Sequence, residues 1–476
     1  MKLLKEFNLG KDLIELLRHS KNYVSAELLT KGLAFITLPI FTRLMSPGEY
    51  GILSVFVSFS GVLAIIFGLG VKGAISRYYY EESNDFYDFL SSNIWLVLLV
   101  GIAFTVLSIV FDDYIYSFLN IPYGMIYIAL GITIPQVLFQ LYEAYLKASK
   151  NSKRVAFLNV VYSIVSTSLA ILIMYQMSSE RYYAKAIGKT VGVILMLGVT
   201  LWYLIEKLKF NIDKKHIKYS LAFGLPIVVH LLSQTILSTF DQIIINQLVG
   251  NSEAGIYSVA YQIGMIQVVI SMGILSSWTP IFYEKLNNNN SQAINELAEK
   301  YAYIIAFVAI ILIFFSKEAI TILVDQKFSE GYLLIPIVIV AYYFFFLYTM
   351  YVNYAFFHKK TKKIALFTIV CGVVNIILNY LFIPKYGYIA AAWTTLISYF
   401  LLSILHYANV RWVISIKKLT PIKIYFIPLV FILLGWAIYY LLLESDINYI
   451  FGLSTRVLMI LLFSFHLIKK LNIKLK

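Results

Sequence analysis

The stretch Leu44-Met-Ser-Pro-Gly-Glu-Tyr-Gly-Ile-Leu-Ser-Val55 occurs a second time, 204 residues later, as Leu248-Val-Gly-Asn-Ser-Glu-Ala-Gly-Ile-Tyr-Ser-Val259. Six of the twelve positions are identical, and they include the Glu-x-Gly pair of Glu49 and Gly51. Chance matching between apolar segments does not explain a shared glutamate and glycine in a short loop. The chain therefore contains an internal repeat.

A second match, at an offset of 209 residues, extends the repeat along the chain. It sets Tyr145 against Tyr354, Lys150 against Lys359, Lys153 against Lys362 and Ala156 against Ala365. Each copy therefore occupies much of its half of the chain.

The composition places this repeat in a membrane. Of the 476 residues, 60% are apolar and only 13% are charged, whereas soluble globular proteins are about 25% charged. Apolar runs of about 20 residues recur, a length that crosses about 30 Å of hydrocarbon. We predict an all-α polytopic membrane protein with fourteen transmembrane spans, at 22–44, 50–70, 89–111, 123–146, 155–176, 184–206, 217–240, 254–282, 300–324, 331–357, 364–383, 388–410, 424–443 and 449–468.

Each copy of the repeat contains six predicted spans, because the first match follows spans 1 and 7 and the second follows spans 4 and 10. An even number of spans gives both copies the same orientation, so an axis along the membrane normal relates them. We expect an N-lobe at 1–206, a C-lobe at 207–413 and two additional spans at 414–476. Paired bundles of this kind are typical of alternating-access transporters.

The basic residues indicate the orientation. With a cytoplasmic N-terminus, the cytoplasmic segments carry 30 of the 39 Lys and Arg residues, the opposite side carries four, and five lie within spans. This asymmetry predicts that both termini are cytoplasmic. The net charge of +14 is dispersed over short loops, which favours topology determinants beside an anionic leaflet over nucleic-acid binding.

The sequence predicts no cofactor, no metal site and no catalytic residue. It contains no evident cluster of metal ligands, nucleophile elbow or phosphate-binding glycine loop, and its loops are too short for a soluble catalytic domain. The single cysteine, Cys371, lies inside an apolar run, so an intrachain disulfide is excluded.

Two regions resemble a known family. The stretch Pro39-Ile-Phe-Thr-Arg-Leu-Met-Ser-Pro-Gly-Glu-Tyr-Gly51 resembles the first loop of polysaccharide-unit flippases of the multidrug/oligosaccharidyl-lipid/polysaccharide exporter superfamily. The start of the second copy is similar to the same family at Leu225-Pro226, His230, Asp241-Gln-Ile-Ile-Ile-Asn-Gln-Leu-Val-Gly250 and Gly255-Ile-Tyr-Ser-Val-Ala-Tyr261. With the span count and loop charges, the resemblance covers the whole chain.

The resemblance implies a flippase of the O-antigen or capsule type in the bacterial cytoplasmic membrane. Its substrate would be a polyprenyl-pyrophosphate-linked oligosaccharide, moved from the inner to the outer leaflet through a central cavity lined by spans 1, 2, 7 and 8. A polysaccharide polymerase and glycosyltransferases of the same pathway would be its partners, and H+ or Na+ its coupling ion.

Four basic residues are candidates for binding an anionic substrate. Lys31 lies in a predicted cavity span, although Glu27, four residues earlier, offers an internal ion pair. Arg77, at the cytoplasmic mouth, could bind a pyrophosphate bidentately or pair with the nearby acidic residues. Lys189 lies deep in span 6, and Arg43 lies at the outer end of span 1.

Span 7 carries polar residues at His230, Gln234, Ser238 and Asp241, which share one helical face. Such a stripe in a lipid-embedded helix favours a wet cavity, and polar packing between helices is the alternative. His230 alone is more typical of an interior histidine than of a proton carrier. Asp241 lies near the outer end, where a solvated helix terminus is the simpler interpretation.

Two other functions stay open at this point. A cation-coupled exporter of small molecules belongs to the same superfamily, but acidic residues in the N-lobe cavity would favour it, and the charges within spans here are mainly basic. A membrane glycosyltransferase or polymerase would need large outward loops with catalytic residues. The one outward acidic pair, Asp112 and Asp113, lies in a loop of about ten residues.

The charge asymmetry predicts the result of a topology experiment. Reporter fusions after Lys215 and Lys363 should report the cytoplasm, and fusions after Asp113 and Glu444 should report the opposite side, because basic loops are retained inside. A reversed report at either pair contradicts the predicted orientation.

Overall fold

The structure is a computed structural model that describes residues 29–81, 85–209, 212–360, 362–445 and 448–471. Within these ranges the regular secondary structure is helical, without strands. The helices are α1 (29–44), α2 (Pro47–Gly68), α3 (Val71–Glu81), α4 (Phe86–Val110), α5 (Asp112–Leu119), α6 (Tyr123–Ala148), α7 (Ser152–Gln176), α8 (Tyr182–Leu204), α9 (Lys214–Leu248), α10 (Asn251–Asn287), α11 (Ser291–Phe314), α12 (Ser316–Leu323), α13 (Ile335–Phe357), α14 (Lys362–Tyr386), α15 (Ile389–Ala408), α16 (Lys423–Glu444) and α17 (Tyr449–Leu471).

Thirteen of the described helices are long and apolar enough to cross a membrane. The remaining predicted span, 22–44, lies partly outside the described residues, and its described part forms α1. Glu27 also lies outside them. The predicted fold class, an all-α polytopic membrane protein with about fourteen spans, is confirmed.

The helix bounds reproduce the internal repeat. Helices α2 and α10 begin at residues 47 and 251, α4 and α11 end at residues 110 and 314, and the short helices α5 and α12 occupy 112–119 and 316–323. Each pair is separated by 204 residues. The two copies therefore share the same succession of long and short helices.

The change of offset from 204 to 209 has a structural cause. The second copy contains an additional 3-10 helix, Gln326–Leu333, between its short helix and α13. This insertion delays the start of α13, and α13 is three residues shorter than α6 (23 against 26). The later helices are consequently displaced by a few more residues.

The repeated glutamate has a local structural role in the first copy. The Ser46 hydroxyl accepts a hydrogen bond from the Glu49 backbone N–H, and the Glu49 carboxylate accepts one from the Ser46 backbone N–H at 2.8 Å. This capping box begins α2. The other Glu49 oxygen accepts the backbone N–H of Arg181 at 2.7 Å, so the glutamate also ties α2 to the segment before α8.

The chain divides into two compact units, Met1–Thr235 and Ile236–Lys476. In the first unit, α6 packs against α2, α3 and α8. In the second unit, α13 packs against α15, α10 and α11, and 94% of the residues in its most apolar 18-residue stretch are buried. A central helix buried on all sides explains why α13 reads as an almost uninterrupted apolar sequence.

Two details differ from the sequence-based expectations. Predicted span 9, 300–324, is in fact α11 and the separate short helix α12, because the chain turns at Phe315. The predicted cytoplasmic loop 71–88 contains α3. Both short helices contain charged residues, which lower the apolar signal on which span prediction depends.

The additional spans are fixed to the second copy by a buried ion pair. The Arg456 guanidinium donates to both carboxylate oxygens of Glu318, at 2.7 and 3.0 Å, and to the Phe314 carbonyl at 2.5 Å. The side chains of Arg456 and Glu318 are only 7% and 15% exposed. Arg456 is therefore neutralised inside the protein.

This ion pair predicts a non-additive effect on stability. Arg456→Met or Glu318→Gln alone should lower the free energy of unfolding by about 3–5 kcal/mol, because each leaves one buried charge unpaired. The double variant Arg456→Met/Glu318→Met should lose less unfolding free energy than either single variant, because it leaves no buried charge unpaired. Thermal unfolding of the purified protein in detergent measures the difference.

The control is Lys470→Met, which removes a half-exposed lysine paired with Glu299 at 2.6 Å. An exposed pair of this kind contributes at most about 1 kcal/mol. Equal losses in the Arg456 and Lys470 variants would contradict a stabilising role for the buried pair.

Candidate functional site

Two lysines of α8 face aromatic rings of the first two spans. The Lys185 Nζ lies 3.7 Å from the centre of the Phe41 ring in α1, and the Lys189 Nζ lies 5.2 Å from the centre of the Phe56 ring in α2. Among the residues that the structure describes, neither ammonium pairs with a carboxylate. The two cations lie one helical turn apart and face α1 and α2.

This arrangement is costly unless something compensates it. A lysine near the middle of a bilayer costs about 2.5–3.5 kcal/mol on insertion scales, and a cation–π contact returns only about 0.5–2 kcal/mol. Lys185 lies in the first turn of α8 whereas Lys189 lies deeper, so the remaining cost falls mainly on Lys189 and favours access of water or an anion to its ammonium group. Lys189 was predicted as a binding residue from the sequence, and Lys185 was not among the predicted site residues.

The other predicted basic residues of α1 lie at its two ends. Lys31 is half-buried near the start of the described part of the helix, and Arg43 is exposed near its end. At 1.5 Å per residue their Cα atoms are about 18 Å apart along the helix axis. The two residues therefore cannot contact one small anionic group together.

Arg77 lies on α3 in an exposed ion pair. Its Nε donates to the Glu81 Oε1 at 2.6 Å, and its guanidinium lies 5.5 Å from the centre of the Phe223 ring on α9. Pairing with a neighbouring carboxylate was one of the two roles predicted for Arg77. The Arg77 side chain is still 55% exposed, so an anion in solution can reach it.

A polar group joins the start of α9 to α3 and α4, and it is here called the cytoplasmic cluster because the charge asymmetry of the sequence predicts that this side is cytoplasmic. It consists of Tyr78, Glu81, Asp85, His216 and Tyr219. The His216 Nε2 lies 3.1 Å from the Asp85 Oδ2, the Tyr78 hydroxyl donates to Asp85 at 2.9 Å, and the Tyr219 hydroxyl donates to the Glu81 Oε2 at 2.6 Å. His216 is buried whereas Glu81 is exposed, so the cluster extends from the interior to the surface.

The carboxylates of the cytoplasmic cluster are held in their ionised form. Partial burial alone would raise the pKa of Asp85, but hydrogen bonds from His216 and Tyr78 outweigh it and lower that pKa. Hydrogen bonds from Tyr219 and Arg77 lower the pKa of Glu81. Both carboxylates are therefore anionic at neutral pH. Each can pair with a nearby basic side chain and so compete with any other anion for it.

A close backbone contact lies beside the cytoplasmic cluster. Gly70, which has φ +69°, approaches the backbone of Gly224 so closely that a Cβ atom on either residue would overlap the other chain segment. Only glycine tolerates both the left-handed conformation and this approach. The contact fixes where α9 crosses the end of α2, and it places Phe223 and Tyr219 beside α3.

Sequence reasoning did not identify His216 and Tyr219. They lie three residues apart, at the boundary between a predicted cytoplasmic loop, which contained His216, and the predicted span 217–240, which contained Tyr219. The spacing of two polar aromatic residues on one helical face, opposite the acidic residues 81–88, is the signal that could have indicated the cluster.

The predicted stripe on α9 does not lie in one uniform environment. His230 is half-buried and its Nδ1 has no hydrogen-bond partner among the described residues. Gln234 is exposed, whereas Asp241 is only 1% exposed. The expectation of a solvated helix terminus at Asp241 is therefore wrong, because helices α10, α14 and α15 of the second unit cover it.

Three neutral side chains donate hydrogen bonds to the Asp241 carboxylate. The Asn379 amide donates to Oδ1 at 2.6 Å, and the hydroxyls of Thr395 and Tyr257 donate to Oδ2 at 2.5 and 2.8 Å. The Thr394 hydroxyl in turn donates to the Asn379 oxygen. No basic residue of the described chain pairs with Asp241, so its charge is met only by dipoles.

A buried carboxylate with only neutral donors is an incomplete site. Burying an uncompensated charge is expensive, and such a group normally gains a proton or a cation. Carboxylate, amide and hydroxyl oxygens are the ligands that hard cations prefer. The sequence analysis singled out Asp241 but not the residues that donate to it.

Among the described residues no group of three or more His, Cys, Asp and Glu side chains is arranged to hold a metal ion. The Asp241 group is not one of these clusters, because Asp241 is its only acidic residue and its other oxygens belong to Asn, Thr and Tyr side chains.

Comparison with known families matches most of the chain. A family model described as a polysaccharide biosynthesis protein matches residues 16–286, and the MatE model matches residues 226–381. A protein of the Lsg locus of Haemophilus influenzae is 24% identical over 262 residues, which are 52% of this chain and 60% of that protein. The succinoglycan biosynthesis transport protein ExoT of Rhizobium meliloti is 30% identical over 79 residues, which are 17% of this chain and 16% of that protein. The chain thus spans about three fifths of the length of the Haemophilus relatives it matches.

Solved structures share the fold over nearly the whole chain. The lipid II flippase MurJ in an inward closed conformation superposes with a TM-score of 0.71 at 20% identity, covering 94% of this chain and 99% of that one. An inward-facing multidrug resistance MATE family transporter of the MOP superfamily superposes with a TM-score of 0.66 at 16% identity, covering 81% and 94%. At these identities the likeness shows the fold, and it confirms the two-lobe architecture of that superfamily.

Proposed function

We propose, because the chain belongs to the polysaccharide biosynthesis protein family, that this multi-pass membrane protein is a flippase for lipid-linked oligosaccharides. It would move a polyprenyl-pyrophosphate-linked unit across the bacterial cytoplasmic membrane for O-antigen, capsule or another surface polysaccharide. Both termini would be cytoplasmic, and residues 1–206, 207–413 and 414–476 would form the two lobes and the additional spans. A polymerase and glycosyltransferases would supply and consume its substrate.

The observation that carries this proposal is the pair of lysines on α8. Lys185 and Lys189 place two ammonium groups within a membrane span, against aromatic rings and without a described carboxylate partner. A pyrophosphate that crosses the bilayer needs fixed cations along its path, because its uncompensated charge is very costly in a low dielectric. The aromatic rings beside the lysines also suit contact with sugar rings.

Further basic residues would extend this path towards both faces. Arg77 would lie at the cytoplasmic mouth, Lys31 would lie in the first span and Arg43 would lie at the outer end of that span. Together with Lys189 they would provide positive charge from one side of the membrane to the other. His230 and Gln234, on α9, would contact the neutral sugar part by hydrogen bonds.

This distribution of charge also separates the proposal from the alternatives. A cation-coupled drug exporter would use acidic residues where the first unit presents lysines. A glycosyltransferase or polymerase would turn over a sugar donor. Incubation of the purified protein with labelled lipid-linked oligosaccharide separates them, since a flippase changes the leaflet of the substrate and leaves its structure intact.

The coupling ion would bind at Asp241. The buried carboxylate has three neutral donors, and a proton or Na+ would supply the missing positive charge. Asp241→Asn should therefore abolish the response of the flipping rate to an imposed Na+ or H+ gradient in proteoliposomes. Asp113→Asn is the control, since Asp113 is an exposed carboxylate that also accepts a tyrosine hydroxyl, at 2.7 Å. A retained gradient response in Asp241→Asn contradicts the assignment.

Neutralising the basic residues should stop transport. Lys31→Gln, Arg77→Gln and Lys189→Gln should each lower the flipping rate of a lipid-linked oligosaccharide by about tenfold or more, because a hydrogen bond to a charged group contributes about 1.5–3 kcal/mol. Lys31→Arg should retain part of the activity, since the charge is kept. Surface-polysaccharide export in cells and leaflet-specific labelling in proteoliposomes measure the change.

The matched control is Lys153→Gln, which removes one exposed lysine from the cytoplasmic face. It should flip at the wild-type rate with the same amount of protein in the membrane. Wild-type rates in all of the Lys31, Arg77 and Lys189 variants would overturn the proposed path.

A further inference from the structure

Glu81 is shared between two partners at the cytoplasmic mouth. Its Oε1 accepts the Arg77 Nε at 2.6 Å, and its Oε2 accepts the Tyr219 hydroxyl at 2.6 Å. Arg77 and Glu81 are joined through a single nitrogen and a single oxygen, and the Tyr219 hydroxyl donates to the other oxygen of Glu81. A guanidinium and a carboxylate otherwise tend to form two parallel bonds, which hold them more strongly.

The Tyr219 hydroxyl is fixed in this position before any ligand arrives. Its ring meets the ring of Tyr78 edge-on at 5.2 Å and the ring of Phe89 edge-on at 5.8 Å. The start of α9 is held by the contact between His216 and Asp85. Tyr219 therefore presents a donor that stays in place when the other partner of Glu81 is removed.

Arg77 and Glu81 differ from Tyr219 in exposure to solvent. Their side chains are 55% and 41% exposed, and exposed ion pairs of this kind are weak. A pyrophosphate carries more negative charge than a carboxylate and presents several acceptor oxygens to a guanidinium. It can therefore replace Glu81 at Arg77 without leaving Glu81 unpaired, since Tyr219 retains it.

We infer that Glu81 is a displaceable counter-ion of Arg77, and that Tyr219 is a positioning residue which keeps it displaceable. The inference rests on the proposed function, because the incoming anion is the pyrophosphate of the lipid-linked substrate. In the free protein Glu81 neutralises Arg77. When the pyrophosphate arrives, Arg77 exchanges one anion for another and Glu81 stays on Tyr219. The affinity of the mouth for substrate is set by this competition.

Binding to the purified full-length protein in detergent tests the exchange. The probe is polyprenyl pyrophosphate without sugars, and its Kd is measured by calorimetry. Glu81→Gln should tighten binding roughly two- to fivefold, because it removes a competitor held by a weak exposed pair. Tyr219→Phe should weaken binding, since Glu81 then loses the donor that would hold it when a pyrophosphate replaces it at Arg77. Arg77→Gln should weaken binding and should remove the effect of Glu81→Gln in the double variant.

Asp88→Asn is the matched control. Asp88 lies in the same region and pairs with Lys209 at 2.9 Å, so its neutralisation makes the same change of net charge away from Arg77. It should leave the Kd unchanged. Equal tightening by Asp88→Asn, or tightening by Glu81→Gln that persists in the Arg77→Gln background, would reduce the effect to net charge and overturn the inference. Thermal unfolding of each variant verifies that it folds. The Tyr219→Phe variant is a second, independent test, because unchanged or tighter binding in this variant contradicts the inference.

Two further measurements separate this inference from the proposed function. Inorganic pyrophosphate is the second probe, and equal affinity with the same pattern of variants would assign the site to a free diphosphate instead of a lipid-linked one. Flipping of lipid-linked oligosaccharide by the wild type is measured in parallel. If the wild type flips but Glu81→Gln binds like wild type, the exchange is wrong and the function stands. If the binding pattern holds without flipping, the exchange stands and the function is wrong.

Discussion

A charge inside the hydrocarbon layer must find a partner, and this constraint organises the structure. Arg456 and Glu318 neutralise one another within the protein, which is a structural solution because nothing is left for a ligand to satisfy. Within the part of the chain that the structure describes, Lys185 and Lys189 contact aromatic rings without a carboxylate partner, and Asp241 accepts hydrogen bonds from neutral donors without a basic partner. The degree to which each charge is neutralised therefore separates residues that hold the fold from residues that are available for function.

The fold could be predicted from the sequence because a membrane simplifies the problem. Every backbone polar group in the hydrocarbon must bond internally, so an apolar run of sufficient length is a helix. The repeated segment at Glu49 and Glu253 then gave the order of the helices, which agrees with the helix bounds. The short helix α3 was missed because charged residues between apolar runs give the same signal as a loop, and α12 was missed because it was read as the end of the predicted span 300–324. The additional 3-10 helix Gln326–Leu333 appeared only as a change of offset.

The site was less predictable, because its contacts join residues far apart in the chain. Arg77 was recognised as a cation beside acidic residues, but the choice of Glu81 as its partner depends on the geometry of α3. His216 and Tyr219 were missed, since they reach α3 and α4 only after α9 crosses the end of α2 at Gly70 and Gly224. A single sequence contains the residue types of such a cluster but not the crossing that assembles it.

The internal repeat shows how one helix position came to hold different chemistry in the two copies. At the offset of 204 residues, Asp241 corresponds to Thr37. The Thr37 hydroxyl donates to the Leu33 carbonyl of its own helix at 2.8 Å, so it needs no other helix. A carboxylate at the same position accepts hydrogen bonds and cannot satisfy itself in this way. Its donors must come from neighbouring helices, and Asn379, Thr395 and Tyr257 supply them. One difference between the two copies of the repeat thus requires a buried polar network that joins four helices.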